Sequence, residues 1–116
     1  MRLKAALWVS GYLKRINQTG AFAAVLKRGD ESAGAIYLKI NRLDGSADLY
    51  APALPGLDDL DPPRKWEPRK AEAAETEIDE WLAKERARDP DLWIVEVEDK
   101  GGSSHLLPEE IAAPNL

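Results

Sequence analysis

The sequence predicts an α+β domain in which two helices pack on one face of a mainly antiparallel sheet of four to five strands, in the order α-β-β-β-(β)-α-β. Two apolar stripes with three- and four-residue spacing, near residues 8 and 80, each indicate a helix. Several segments with two-residue alternation indicate strands. Because the helices do not alternate regularly with the strands, the pattern is typical of the α+β class.

The first helix is predicted over residues 3–18. Gly20 follows as a natural stop, and Lys14 and Arg15 complement the dipole at the C-terminal end. The apolar stripe comprises Ala5, Trp8, Val9, Tyr12, Leu13 and Ile16.

Three strands are predicted next, the first over 22–27 and the other two within 33–50. The Asp44-Gly45 turn between apolar alternations indicates a hairpin. One face of the first hairpin strand carries Ile36, Leu38 and Ile40, and the other carries Tyr37, Lys39 and Asn41.

The second half begins with an irregular loop, 51–63, rich in Pro and Asp. Its Asp58, Asp59 and Asp61 lack the glycine and the distal glutamate of a calcium loop, so we interpret them as solvated. A short edge strand is predicted over 64–69.

The second helix is predicted to begin with Thr76 as the capping residue, three positions before Asp79, and to run to about Arg88. A strand over 92–98 follows, and a short final strand is predicted over 105–107.

The chain length of 116 residues fits one domain, which we place at 1–107, with a flexible C-terminal tail over 108–116. With no cysteine and a single histidine, His105, we expect neither a disulfide nor a zinc site, and no cofactor. No segment approaches a membrane-spanning length, so we expect a cytoplasmic protein with no membrane partner.

Charge is divided unevenly along the chain. Residues 1–46 carry eight Lys and Arg against three acids, whereas the remaining residues carry eight against eighteen. A basic patch can bind anions even on an acidic protein, and attraction between the two halves within one fold is the alternative. The candidate patch comprises Lys14, Arg15, Lys27, Arg28 and Arg42, with Lys39 and a stacking Tyr37 beside them.

Four runs of residues resemble a known family. They are Leu7-Trp8-Val9-Ser10, Arg28-Gly29-Asp30 with Ala33-Gly34-Ala35, the run from Asn41 to Gly45, and the run from Asp89 to Asp99. Together they resemble a small, mainly alphaproteobacterial family called domain of unknown function fourteen ninety-one. The resemblance extends to about His105 and implies no activity, substrate or catalytic residue.

Three classes of function are compatible with these residues. The leading hypothesis is a non-catalytic protein-interaction module or small homo-oligomer that uses an exposed sheet face. The alternative is nucleic-acid or anion binding through the basic patch. The third is a small enzyme without a recognisable motif, for which Asp30, Asp44, Glu96 and His105 are the first groups to test. The predicted interaction face comprises Tyr37, Lys39, Asn41, Asp48 and Tyr50.

Overall fold

The computed structural model describes residues 3–54 and 62–112. Two helices and five strands make up this part of the chain. In chain order they are α1 (Ala5–Asn17), β1 (Phe22–Lys27), β2 (Ile36–Asn41), β3 (Ser46–Pro52), β4 (Trp66–Ala74), α2 (Glu75–Arg88) and β5 (Trp93–Glu98), followed by a single 3₁₀ turn at Pro108–Glu110. The α+β class and the five-stranded, mainly antiparallel sheet are therefore confirmed.

The last strand, β5, lies inside the sheet, whose order is β1-β5-β2-β3-β4. It pairs antiparallel with β1 and parallel with β2, and the β2-β3 and β3-β4 pairs are antiparallel. A strand in this position is covered on both faces, which explains why residues 92–95 are consecutively apolar and buried. The edges of the sheet are β1 and β4.

One face of the sheet packs against α1. Trp8 lies against Tyr12 and Trp66, with ring centroids 4.6 and 4.2 Å away. Trp66 donates its indole N–H to the carbonyl of Ile36 at 2.8 Å, so this buried aromatic group leaves no unpaired donor. The strands contribute Ala23, Ile36, Leu38, Ile40, Val95 and Val97 to this cluster.

The other face packs against α2, so the expectation of two helices on one face is corrected. Ile78 and Leu82 of α2 join Leu49 of β3 and Ile94 of β5 in a second buried cluster. Since successive side chains of a strand point to opposite faces, β2 contributes to both clusters, with Leu38 beneath α1 and Tyr37 beneath α2. The sheet is the middle of three layers.

Two element boundaries also differ from the prediction. The residue before α2 is Ala74, which makes no side-chain cap, and Thr76 lies inside the helix. Strand β4 extends to Ala74, five residues beyond the predicted end, because it pairs along β3 as far as Ser46. The chain passes directly from β4 into α2, which leaves no room for a separate capping turn.

The segment after β5 contains no further strand: residues 105–107 are not a strand. Residues 108–112, which lie within the predicted tail, contact the rest of the domain. Glu110 accepts the indole N–H of Trp8 at 2.8 Å, and Ala112 donates its N–H to the carbonyl of Trp66 at 2.8 Å. The predicted acidic loop residues Asp58, Asp59 and Asp61 lie outside the described residues.

Candidate functional site

The predicted interaction face on β2 is covered by α2. Lys39 is only 3% exposed, and its Nζ lies 2.6 Å from Glu75, 2.8 Å from Asp79 and 3.1 Å from Glu96. Asn41 donates its amide to Glu75 at 3.1 Å, and the Tyr37 ring lies 5.8 Å from that of Trp81. These three residues join the sheet to α2.

The lysine in this cluster is held in its charged form. Burial alone would lower the pKa of Lys39, but its hydrogen bonds to Asp79, Glu75 and Glu96 outweigh that effect and raise the pKa above its usual value. A lysine with a raised pKa is neither a nucleophile nor a general base near neutral pH. The cluster is therefore suited to positioning α2 on the sheet.

The other two residues of the predicted face lie on the opposite side of the sheet. Cross-strand partners share a face, and Tyr50 is paired with Leu38 and packs against the cluster beneath α1. Asp48 is 5% exposed and accepts two hydrogen bonds from Arg42, at 3.2 and 2.8 Å. The structure does not bring the five residues together on one exposed surface.

The predicted basic patch is divided between the two ends of the sheet. Arg42 follows the end of β2 and forms ion pairs with Asp48 and Glu72. Lys27 pairs with Ile94 near the beginning of β5, which is parallel to β2, so it lies at the opposite end. Its Nζ donates to the carbonyl oxygens of Pro90 and Leu92 at 2.6 and 3.0 Å.

The remaining basic side chains are likewise separated. Arg28 stacks over the ring of Trp93, 4.9 Å from its centroid. Arg15 donates to the carbonyl of His105 at 2.9 Å and pairs with Glu110 at 3.4 Å, and Lys14 is exposed on α1. Of these five cations, three are bound to protein oxygens, so they do not converge on a phosphate-sized site.

The four groups considered for catalysis have local structural partners. Asp30 accepts the backbone N–H of Ala33 at 2.8 Å, and Asp44 accepts that of Ser46 at 2.9 Å, as turn residues do. Glu96 contacts Lys39.

His105 contacts Asp99 at 2.7 Å through Nε2. Burial would raise the pKa of Asp99, but hydrogen bonds from His105 and from backbone N–H groups lower it below its usual value. His105 has a positive φ of 58°, and Leu43 and Glu72 also have positive φ values, of 64° and 49°. Within residues 3–54 and 62–112 no group of three or more acidic or histidine side chains is arranged to hold a metal ion.

A different surface emerges on β1, beside the region that α2 covers. Because Ala23 and Val25 pack beneath α1, strand alternation places Phe22 and Ala24 on the opposite face. Phe22 is 57% exposed and Leu26 is 52% exposed. We call Phe22, Ala24 and Leu26, together with the neighbouring Glu98 of β5, the open half-face. No helix among the described elements covers it.

The backbone edge next to the open half-face has groups that point away from the rest of the sheet. The N–H of Ala23 points away from β5, since it donates to the side chain of Asn17 at 3.1 Å. Alternation then directs the N–H and C=O of Val25 outward as well. The register between β1 and β5 shifts between Val25 and Lys27, so the regular part of the edge ends there.

The other edge strand, β4, has more features that oppose pairing. It contains Pro68, which lacks an N–H, several charged residues and two register shifts against β3. Its first residue, Trp66, pairs with Ile111. β1 carries no charge before Lys27. The six-residue sequence Phe22-Ala-Ala-Val-Leu-Lys contained this signal, but whether α2 covers its outer face could not be inferred without the topology.

The comparisons agree with the resemblance found in the sequence. A model of the family described as "Protein of unknown function (DUF1491)" matches residues 3–107. The crystal structure of a DUF1491 family protein from Caulobacter crescentus is 32% identical, with a TM-score of 0.78 and a match covering 97% of this chain and 100% of that chain. An NMR structure of a DUF1491 family protein from the same organism is 34% identical, with a TM-score of 0.78 and coverage of 97% and 99%.

A solution structure of an A. tumefaciens protein is 40% identical, with a TM-score of 0.74 and coverage of 84% of this chain and 86% of that chain. No curated protein matches the chain. Of the helices in 3–54 and 62–112, neither is long and apolar enough to cross a membrane.

Proposed function

The chain belongs to the DUF1491 family, and we propose that it acts as a non-catalytic protein-interaction module whose docking surface is the open half-face with the adjoining edge of β1. The observation that carries this proposal is the exposure of Phe22 and Leu26, 57% and 52%, beside a strand edge with outward backbone groups. Such an edge offers main-chain hydrogen bonds and apolar side-chain contacts to the same partner.

Exposed apolar residues occur singly on most proteins and are not informative by themselves. Leu7 of α1, for example, is 59% exposed on the solvent side of its helix. Its helix has no unpaired backbone edge to offer beside it, because helical backbone groups bond within the helix. The combination found on β1 supports a protein contact: an aromatic anchor, a second apolar side chain, and the polar Glu98 at the rim.

The neighbouring polar chemistry favours binding over catalysis. Lys39 and Arg42 are bound by carboxylates on the covered parts of the sheet, so neither group faces the open half-face as a reactive side chain. The absence of cysteine suits the reducing cytoplasm in which we expect the module to work.

Matched variants test this proposal. Tagged wild-type protein, Phe22→Asp and Leu7→Asp are each expressed in the native cell, and the proteins they capture are compared, including a second copy of the chain that carries a different tag. We expect capture by wild type and by Leu7→Asp, and loss of capture with Phe22→Asp. The proposal is overturned if Phe22→Asp, shown by circular dichroism to be folded, captures the same proteins in the same amounts.

A further inference from the structure

We infer that the partner of the open half-face is a second copy of this chain, joined through an antiparallel β1-β1 pair whose twofold axis passes beside Ala24. The two five-stranded sheets then form one continuous sheet. This inference rests on the proposed function, because it uses the same surface and names its occupant.

The alternation of outward- and inward-pointing backbone groups along β1 supports this register. The outward groups belong to Ala23 and Val25. A twofold axis beside Ala24 places Ala23 of one copy opposite Val25 of the other, so both members of each hydrogen-bonded pair present their N–H and C=O toward the partner strand. Ala24 then faces Ala24 of the second copy as a non-hydrogen-bonded pair.

The side chains are self-complementary in the same register. At each end of the pair, the exposed Phe22 of one copy approaches the exposed Leu26 of the other. Because the register of β1 shifts between Val25 and Lys27, this is an apolar contact at the end of the regular ladder and not a further ladder pair. The two small Ala24 side chains meet at the twofold axis, between these two contacts. A charge introduced at this position would face the same charge on the second copy. All residues from 22 to 26 are apolar, so the pairing places no charge opposite a like charge.

The first charge on the strand does not oppose the pairing. Lys27 lies beyond the register shift of β1, outside the regular part of the pair. Its ammonium group already donates to the carbonyls of Pro90 and Leu92 in its own chain. β4 offers no comparable pairing, because Pro68 removes a donor and Arg69, Lys70 and Glu72 lie along its edge.

One intramolecular contact competes with the second copy. The side chain of Asn17 accepts the N–H of Ala23, and it must move aside before a strand can pair there. Asn17 is exposed at the end of α1, so its amide exchanges this bond for one to water. Removing it with Asn17→Ala is therefore expected to strengthen the dimer, whereas a substitution that only damages the fold weakens it.

Cross-linking tests the register directly, since the chain contains no cysteine. In a non-hydrogen-bonded pair the Cα atoms lie about 4.5 Å apart, within the range of roughly 4.4–6.8 Å that a disulfide spans. We expect Ala24→Cys to form a disulfide dimer under mild oxidation. Thr76→Cys, exposed on α2, is the control. Cross-linking of Ala24→Cys no faster than this control overturns the register.

A charge exchange tests the dimer without cysteine. Light scattering with size-exclusion chromatography is applied across a concentration series to wild type, Ala24→Asp, Ala24→Lys and an equal mixture of the two variants. Each variant alone is expected to dimerise up to about fivefold more weakly than wild type because it places like charges opposite each other, and the mixture is expected to recover most of the loss. A mixture no stronger than the single variants counts against the inference.

These outcomes separate this inference from the proposed function. If wild type remains at 12.8 kDa up to millimolar concentration while Phe22→Asp still abolishes capture of a different protein, the second copy is excluded and the docking surface stands. If the chain is monomeric and capture does not depend on Phe22, both fail. Dimerisation with the Ala24 mixture recovering the loss supports both.

Discussion

Replacing Lys39 by methionine is expected to lower the free energy of unfolding by about 2–3 kcal/mol at pH 7. The lysine side chain is 4% exposed, and three carboxylates lie within 3.1 Å of its Nζ. Removing one partner of a fully buried ion pair costs about 3–5 kcal/mol. Here Glu96, Glu75 and Asp79 are 20%, 34% and 54% exposed, so water screens the orphaned charges and the loss is smaller.

The pH dependence of the stability loss in Lys39→Met shows whether the loss arises from the ion pairs of Lys39. In Lys39→Met the three carboxylates repel one another while they are ionised, and protonation removes the repulsion. In wild type, protonation of the same carboxylates removes the partners of Lys39. The difference in stability between the two proteins is therefore expected to be smaller at pH 3 than at pH 7.

Stability measured at alkaline pH is less informative about Lys39. Because the pKa of Lys39 is raised above 10.5, its contribution is fully present below pH 10.5 and is lost as the pH rises through the folded-state value. Burial also raises the pKa of Tyr12 above 10.0, so the unfolded state loses the tyrosine proton first and stability again decreases above pH 10. Both effects lower the stability at alkaline pH, so the contribution of Lys39 is distinguished by measurements in acid.

Urea unfolding followed by tryptophan fluorescence, at pH 7 and pH 3, measures these differences. Lys84→Met, exposed on α2, is the matched control and is expected to change stability by less than about 0.5 kcal/mol. The reasoning is refuted if Lys39→Met costs no more than this control, or if its cost is the same at both pH values.

Three further substitutions probe the contacts around the sheet. Tyr12→Phe leaves the carbonyl of Ser104 without the phenol that bonds to it, so urea unfolding should show a loss of about 1–2 kcal/mol. Gly34→Ala places a Cβ 2.5 Å from a backbone carbonyl oxygen, and a loss of about 2 kcal/mol or more in thermal unfolding is expected; an unchanged midpoint would contradict that close approach. Asp99→Asn removes a carboxylate whose pKa is lowered chiefly by His105 against the effect of burial. Its stabilisation is present above pH 3.8 and is lost below, so the difference between wild type and Asp99→Asn should decrease in an acid titration of stability.

Alternation and turn chemistry predicted most of the strands. β1 has the predicted bounds, and the alternating Ile36, Leu38 and Ile40 face the core as expected. The Asp44-Gly45 turn joins β2 to β3, with Gly45 at a φ of 90°. These features depend on a few neighbouring residues, so the local sequence contains the information that determines them.

The placement of α2 could not be predicted in the same way. The polar residues of β2 predicted a solvated face, yet Lys39 is buried against acids that are 36, 40 and 57 positions away in the sequence. A strand buried under an ion-paired helix and a strand exposed to water have the same two-residue pattern. Distinguishing them requires the position of the partner acids, which only the fold supplies. For the same reason, the sequence predicted an interaction surface on β2, whereas the surface proposed from the structure lies on β1.

The unequal charge of the two halves now has an intramolecular explanation. Lys39 and Arg42 from the first half each pair with acids from the second half, at Glu75 and Glu72, and Arg15 pairs with Glu110. Since these three charges are used within the fold, we expect the proposed association to depend on the apolar edge of β1 and not on them. Association through β1 should therefore persist, or strengthen, when the salt concentration is raised, because salt screens ionic contacts and leaves apolar burial intact. Sedimentation equilibrium at low and high salt measures this, and a dimer that dissociates as salt is added would indicate that the paired halves exchange between copies instead.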